Sequence, residues 1–286
     1  MDNLLSFDIE GFVESSHDIM EVPPQYLDER AENEAIGVNT RAILDLLDAH
    51  GQKGTFFVLG RIGRDLPKLV AEIAARGHEV GCHSYDHRRL YDFDAGQVRT
   101  FLADARRCLE DAAGTAVRGF RAPDFSITKK NLWCFDLLRE AGFTYDSSVM
   151  PTGLHDVYGI GDFSRRPFRM ANGLIEFPMS VVPLLGRNVP FGGGGYLRLY
   201  PAFLDELFFR RINREGLPGV VYLHPFEFGV RVTRIREMPP VRKFRTYVGI
   251  KSVPRKLSRL LRRFSFCTFA DYLARHPVEE PAHANA

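Results

Sequence analysis

His78-Glu79-Val80-Gly81-Cys82-His83-Ser84-Tyr85-Asp86-His87 is the stretch that decides the fold. Its first five residues read as a short strand that delivers His83 at its C-terminal end, with His87 four positions later. Two imidazoles so spaced can face one point from a single helical turn or a tight loop. A carboxylate from elsewhere in the chain could then complete a three-ligand divalent metal site. Three protein ligands leave a fourth place for water, which separates a catalytic centre from a structural one. By itself the pair suits exposed histidines equally well, one of them capping a turn.

A carboxylate candidate stands near the start, in Ser6-Phe7-Asp8-Ile9-Glu10, which continues the apolar run Leu4-Leu5. Residues two apart on a strand project from the same face, so Asp8 and Glu10 lie side by side. They suit a base next to a metal ligand; the plainer alternative is a turn-starting aspartate and a solvated glutamate.

The strand-then-helix pattern repeats outward from these two stretches. Ile36, Ile43, Leu44, Leu46 and Leu47 form a helical face stopped at Gly51, and Thr55-Phe56-Phe57-Val58-Leu59 reads as a buried strand. Helices are expected around Leu69 to Ala74, Val98 to Leu109, Leu132 to Leu138 and Phe203 to Ile212. Strands are expected at Gly119-Phe120, Phe143-Thr144-Tyr145-Asp146, Leu174-Ile175-Glu176-Phe177 with Ser180-Val181-Val182, broken by Pro178, and Gly219 to Leu223. Pro151 to Asn172 reads as loop, and Gly192 to Gly195 as a flexible corner. The acid-rich stretch from Gly11 to about Glu34 is longer than a usual connection and is expected to be an irregular lid over the site. About seven strands with helices between them predict an α/β fold with a parallel sheet. Because chemical residues recur at strand ends, a closed barrel is favoured over an open doubly wound sheet.

Composition narrows the class. The 286 residues are 45% hydrophobic and 26% charged with a net charge of +2, which suits a globular chain and gives no footprint for nucleic acid. Met1-Asp2-Asn3 runs straight into the first strand without a basic leader, and no apolar run approaches the roughly 20 residues that cross a bilayer, so a cytoplasmic location is expected. The four cysteines, Cys82, Cys108, Cys134 and Cys267, form no CxxC pair and read as buried free thiols.

In this order the residues resemble a known family, the polysaccharide deacetylases of NodB-like, carbohydrate esterase 4 type. The resemblance runs from Leu4 to Pro225 through Asp8-x-Glu10, His83-x-x-x-His87, Arg121-x-Pro123, Asp146-Ser147-Ser148 and Leu223-His224-Pro225. Gly193-Gly194-Gly195-Tyr196 and Phe244-Arg245-x-Tyr247-Val248-Gly249 are similar to a subgroup with a C-terminal extension, associated with exopolysaccharide assembly loci. The resemblance implies a distorted (β/α)7 barrel with the site at the strand C-termini. It implies a catalytic domain over 1–228, a basic extension over 229–275 packed on the barrel, and a disordered tail over 276–286.

It also implies roles: Asp8 as general base, Glu10, His83 and His87 as ligands of a divalent ion, Arg121 holding Asp8, His224 as general acid, and Asp146 orienting His224. Zinc is the first expectation for the ion, with cobalt, nickel or manganese as alternatives. Tyr196, Gly194, Gly195 and Asp124 are carried as substrate-binding candidates. Phe191, Tyr196 and Tyr200 suit a sugar subsite, although aromatics at this spacing are more often core. The sequence departs from the family pattern in three places. Ile9 separates the two acids, which leaves base and ligand open to exchange; Gly11 replaces an acid common in the subgroup; and Asp124 stands where a small polar residue is common.

The residue types suit amide hydrolysis. A metal polarises the carbonyl and lowers the pKa of water from about 15.7 towards 7, within reach of a carboxylate base. An arginine against that carboxylate favours its charged form. Histidine, with a reference pKa of about 6.5, suits protonation of the departing amine. Each residue also has a plain reading: Arg121 as an ion-pair partner, Asp146 as a turn residue, His224 as a core histidine.

Late in the chain, Arg231 to Arg263 is rich in Arg and Lys, and Val253, Leu257, Leu260 and Leu261 give it an apolar stripe. The bland expectation is a solvated face; the sharper one is a helix drawn to anionic lipid at the inner membrane surface or to a pyrophosphate-linked glycan. Together these features predict a cytoplasmic metal-dependent hydrolase that removes N-acetyl groups from an amino sugar in a free or lipid-linked glycan. The rivals are an amidohydrolase for a small amide or cyclic imide, and a non-catalytic glycan-binding protein.

Overall fold

The computed structural model describes residues 1–17, 20–153 and 159–278. In chain order its strands are β1 (Asp2–Ile9), β2 (Thr55–Val58), β3 (Glu79–Cys82), β4 (Gly119–Phe120), β5 (Tyr145–Asp146), β6 (Phe168–Arg169), β7 (Ile175–Glu176), β8 (Val181–Leu184), β9 (Arg187–Pro190), β10 (Val220–Leu223) and β11 (Ser265–Cys267). Seven of them run parallel in the order β10-β1-β2-β3-β4-β5-β7, with β6 antiparallel on the β7 edge.

The sheet curls into a half-barrel, in keeping with the distorted barrel that the resemblance implies, and stays open where the element count favoured closure. Among the described residues no ladder joins β7 or β6 to β10. A separate antiparallel hairpin of β8 and β9 and a single bridge from Gly193 to Tyr222 lie along that side.

Strand parity sorts the side chains. Leu5, Phe7 and Ile9 of β1 belong to the large core, which also holds Ile43, Leu44 and Leu47 of the helix Glu29–Ala49 and Leu102 and Leu109 of the helix Ala95–Ala113. The opposite face of the sheet holds a second, aromatic core of Leu4, Phe57, Tyr145, Phe177, Tyr222 and Phe269. Because side chains alternate along a strand, Ser6, Asp8 and Glu10 follow Leu4 on that inner face, above the aromatic layer. The same count places His83 and Arg121 there, and puts His224 after Tyr222.

Several elements differ from expectation for identifiable reasons. The expected lid is largely ordered: Phe12–His17 is a short helix, and the long helix already begins at Glu29, capped by Asp28, which accepts from Ala31 N at 3.0 Å. Glu32 Oε1 accepts from Val13 N at 2.6 Å and Glu14 N at 3.0 Å, tying the segment to that helix. The Pro178-broken strand divides between β7 in the main sheet and β8 in the hairpin. The expected loop before it contains β6.

The basic segment joins the main body. β11 pairs with Asp2–Leu4 of β1, and Leu4 also pairs with Val220, so the two partners flank β1 on opposite sides. Val253, Leu257, Leu260 and Leu261 of the helix Val253–Leu261 are buried in the large core. The apolar stripe that suggested a lipid-facing helix is therefore covered by protein. Of the expected tail, residues 279–286 lie outside the described residues. No helix among the described residues is long and apolar enough to cross a membrane.

Candidate active site

The strand C-termini deliver the chemistry. His83 follows β3 directly, and Ser84 adopts a left-handed conformation (φ 66°) that turns the chain so that His87 comes back beside it. The HxxxH pair thus sits on a tight loop, not a helix. Gly60 N and Arg61 N hold the loop by donating to Ser84 O at 2.8 Å and Tyr85 O at 2.9 Å.

Glu10, His83 and His87 each offer one atom to a point, with all three atoms within 4.8 Å of one another and all three residues buried. Glu10 Oε2 lies 3.1 Å from His83 Nε2 and 2.8 Å from His87 Nε2. His83 Nδ1 is 2.8 Å from the carbonyl of Arg121, which as an acceptor requires the proton on Nδ1 and frees Nε2 as a lone pair. Two neutral imidazole nitrogens and one carboxylate form the donor set that a borderline divalent ion such as zinc takes, and a fixed outer partner for His83 strengthens the fit. Burial resists ionisation of Glu10, but the rings of His87, His224 and His83 outweigh it and hold the carboxyl well below the usual range.

Asp8 stands outside that triad. Its Oδ1 accepts from Arg121 Nη1 at 2.7 Å, and the same nitrogen donates to Ser6 Oγ at 2.8 Å. Arg121 Nε and Nη2 reach Ser147 O at 3.0 Å and Ser147 Oγ at 3.1 Å, and its guanidinium lies over the Phe57 ring at 4.3 Å. The arginine therefore separates the polar site from the aromatic layer beneath.

His224 faces the triad from the other side, its Nε2 3.8 Å from Glu10 Oε1. Burial works against a charge on this ring, but Glu10, Glu227 and Asp8 together push its pKa up to about 9.

The carboxylate that orients His224 is Glu227, not Asp146. Glu227 Oε2 accepts from His224 N at 3.0 Å and lies 3.2 Å from Nδ1. Parity accounts for the difference. Tyr145 takes the inner position of β5, so Asp146 points to the opposite face, where Ser148 Oγ and Ser148 N donate to it at 2.6 and 3.2 Å. Across the β5–β7 pair stands Glu176; burial pushes the Asp146 carboxyl up to about 6, and burial and Asp146 push Glu176 well above its usual range. A sequence signal for Glu227 exists: it lies at the third position of the turn that Pro225 opens, where a Glu reaches back to the N-cap backbone.

The four substrate-binding candidates differ in their surroundings. Asp124 is paired with Arg89 at 2.9 Å. Gly194 is buried against Glu227, where a Cβ would fall 1.8 Å from Oε2. Gly195 is exposed, and Tyr196 is half-buried with its ring 5.8 Å from that of Tyr200. The space beside Gly11 is filled by the Glu32 side chain.

The chain resembles known proteins over part or all of its length. Residues 33–145 match the polysaccharide deacetylase family model, and residues 147–274 match a domain of unknown function, DUF3473. A chitooligosaccharide deacetylase of Azorhizobium caulinodans is 35% identical over 85 residues, 29% of this chain and 40% of that protein. A peptidoglycan-N-acetylglucosamine deacetylase of Bacillus cereus is 34% identical over 93 residues, 32% of this chain and 34% of that protein. The chain thus matches well under half the length of these relatives. A Mycobacterium smegmatis structure assigned to the polysaccharide deacetylases superposes with a TM-score of 0.64 at 20% identity, covering 100% of this chain and 96% of that one. An allantoinase superposes with a TM-score of 0.64 at 15% identity, covering 96% and 91%. These likenesses establish the fold.

Proposed function

Because this chain carries a polysaccharide deacetylase domain and shares that family's fold, we propose that it is a divalent-metal-dependent N-deacetylase acting on an N-acetylated amino sugar in a glycan or glycan precursor. The observation that carries the reading is the convergence of Glu10, His83 and His87 within 4.8 Å, flanked by the Asp8–Arg121 pair and by His224. Assembly of an exopolysaccharide in the cytoplasm, on a free or lipid-linked precursor, is the setting we propose on the strength of the subgroup motifs.

Glu10, His83 and His87 would hold the ion, which when bound supplies polarisation of the acetyl carbonyl and acidification of water. Asp8, fixed by Arg121, takes the proton of the attacking water. Its place outside the triad favours Asp8 as base and Glu10 as ligand. His224 holds a proton at Nε2 and delivers it to the nitrogen of the departing amine, without which an amide does not break. Glu227 keeps the ring turned to do so.

The test is acetate release by zinc-loaded protein from free, nucleotide-linked and lipid-linked N-acetylated sugars, with a cyclic imide as a parallel substrate. Acetate from a sugar supports the proposal. Turnover of the imide alone transfers the site to a small-amide hydrolase.

A further inference from the structure

The chain after residue 228 reaches the catalytic histidine through one buried arginine. Thr246 O accepts from Arg198 Nη1. Lys256 Nζ donates to Leu197 O at 2.7 Å and Tyr200 O at 2.6 Å, satisfying carbonyls at the end of the helix Gly194–Leu199. Gly249, at φ +69°, brings its backbone so close that a Cβ there would lie 2.5 Å from Arg198 O. Thr246 O thus holds the Arg198 guanidinium, while Gly249 and Lys256, which also reaches Arg198 O at 3.4 Å, hold the backbone around it; Arg198 Nε stands 3.2 Å from Glu227 Oε1 with side-chain exposures of 8% and 1%. The other oxygen of Glu227 meets the His224 backbone and ring.

We propose that the segment after residue 228 keeps the proton-donating histidine in register: Thr246, Gly249 and Lys256 position Arg198, Arg198 positions Glu227, and Glu227 positions His224. The inference rests on the reading of His224 as proton donor in an N-deacetylase. A buried carboxylate that loses its cation is strongly disfavoured where it stands, so Glu227 without Arg198 turns away and releases the imidazole. Gly194 leaves room for Glu227 in its working position, which ties the glycine-rich motif and the late basic motif to one task. Arg198, Glu227, Thr246, Gly249 and Lys256 are assigned as positioning residues that act through His224.

A proton donor matters for an amine leaving group and little for a nitrophenolate, which departs without a proton. The test therefore compares zinc-loaded full chain with its Arg198→Met and Lys256→Met variants on an N-acetylglucosamine oligomer and on p-nitrophenyl acetate. The expected result is a fall in the amide-to-ester ratio of kcat, about tenfold for Lys256→Met and on the order of 100-fold for Arg198→Met, with KM and zinc stoichiometry unchanged. Amide and ester rates falling in step, or neither moving, would overturn it. A second readout needs no turnover: the nitrogen-bound proton at His224 Nδ1, followed by NMR in the zinc-loaded protein. It is expected to be sharp and downfield in the parent and broadened or moved upfield in both variants; identical signals would overturn the proposal. If the parent releases no acetate from any sugar, the deacetylase reading fails while this NMR comparison still decides the positioning.

Discussion

Arg121 Nη1 lies 2.7 Å from Asp8 Oδ1, with side-chain exposures of 0% and 4%. Two charges this deeply buried hold their places only while both are present. Removing one leaves the other uncompensated, at a cost of roughly 3–5 kcal/mol. Arg121→Met is therefore expected to lower unfolding stability by about that amount. Arg121→Lys should not restore it, because an ammonium cannot serve Asp8, Ser6 and Ser147 together. Denaturant titration of the variants checks both statements.

Asp8 and Glu10 are two residues apart but have different neighbours, so their variants should fail differently. Asp8→Asn is expected to bind one zinc per chain and to lose turnover by about 100-fold or more, as removal of a general base does. Glu10→Gln is expected to lose the metal. Calorimetric zinc titration beside a rate assay separates the two, and a metal-free Asp8→Asn would exchange the roles.

A pH dependence follows from Asp205 in the helix Ala202–Arg214. The residue is buried with both carboxylate oxygens unpartnered, and burial pushes its carboxyl up to about 7. The unfolded value is about 3.9, so between these values the folded state binds the extra proton. Stability from this group is complete below pH ~4 and is lost as pH rises through ~7, by about 4 kcal/mol. Asp205→Asn should remove that slope and melt above the parent at pH 8, with a much smaller difference at pH 4. Thermal melts at the two values test it.

The chain should unfold as one body across residue 228. β11 pairs with the first residues of β1, and Leu257 is fully buried in the large core. A chain ended after Phe228 is expected not to fold, and Leu257→Ala to cost about 2–5 kcal/mol with a single transition retained. Two separate calorimetric transitions in the parent would contradict this.

Much of this was legible in the residue order because period-two alternation on β1, β3 and β10 places Asp8, Glu10, His83 and His224 without any knowledge of distant contacts. The role of Asp146 was implied by the resemblance and not by alternation. Asp146 is one position out of phase with Tyr145, and no local signal says which of the two faces inward until the β5–β7 register is known. Glu227 was missed although it lies only three residues from His224, since a short turn opened by proline is easily passed over as a strand end. β9 and β11 were missed for different reasons: Pro190 weakens the strand signal of β9, and β11 finds its partner, β1, at the far end of the chain. The stripe Val253, Leu257, Leu260 and Leu261 was read correctly as amphipathic; amphipathicity alone does not distinguish a lipid surface from the protein's own core.

The most direct measurement of the central claim is acetate released from an N-acetylglucosamine oligomer by zinc-loaded protein, with the metal-stripped protein and His83→Ala in parallel. The account expects steady release by the loaded parent, loss on stripping, recovery on adding zinc back, and no recovery in His83→Ala. Equal release with and without the metal, or a parent that binds zinc through Glu10, His83 and His87 yet releases no acetate from any N-acetylated sugar, would contradict it.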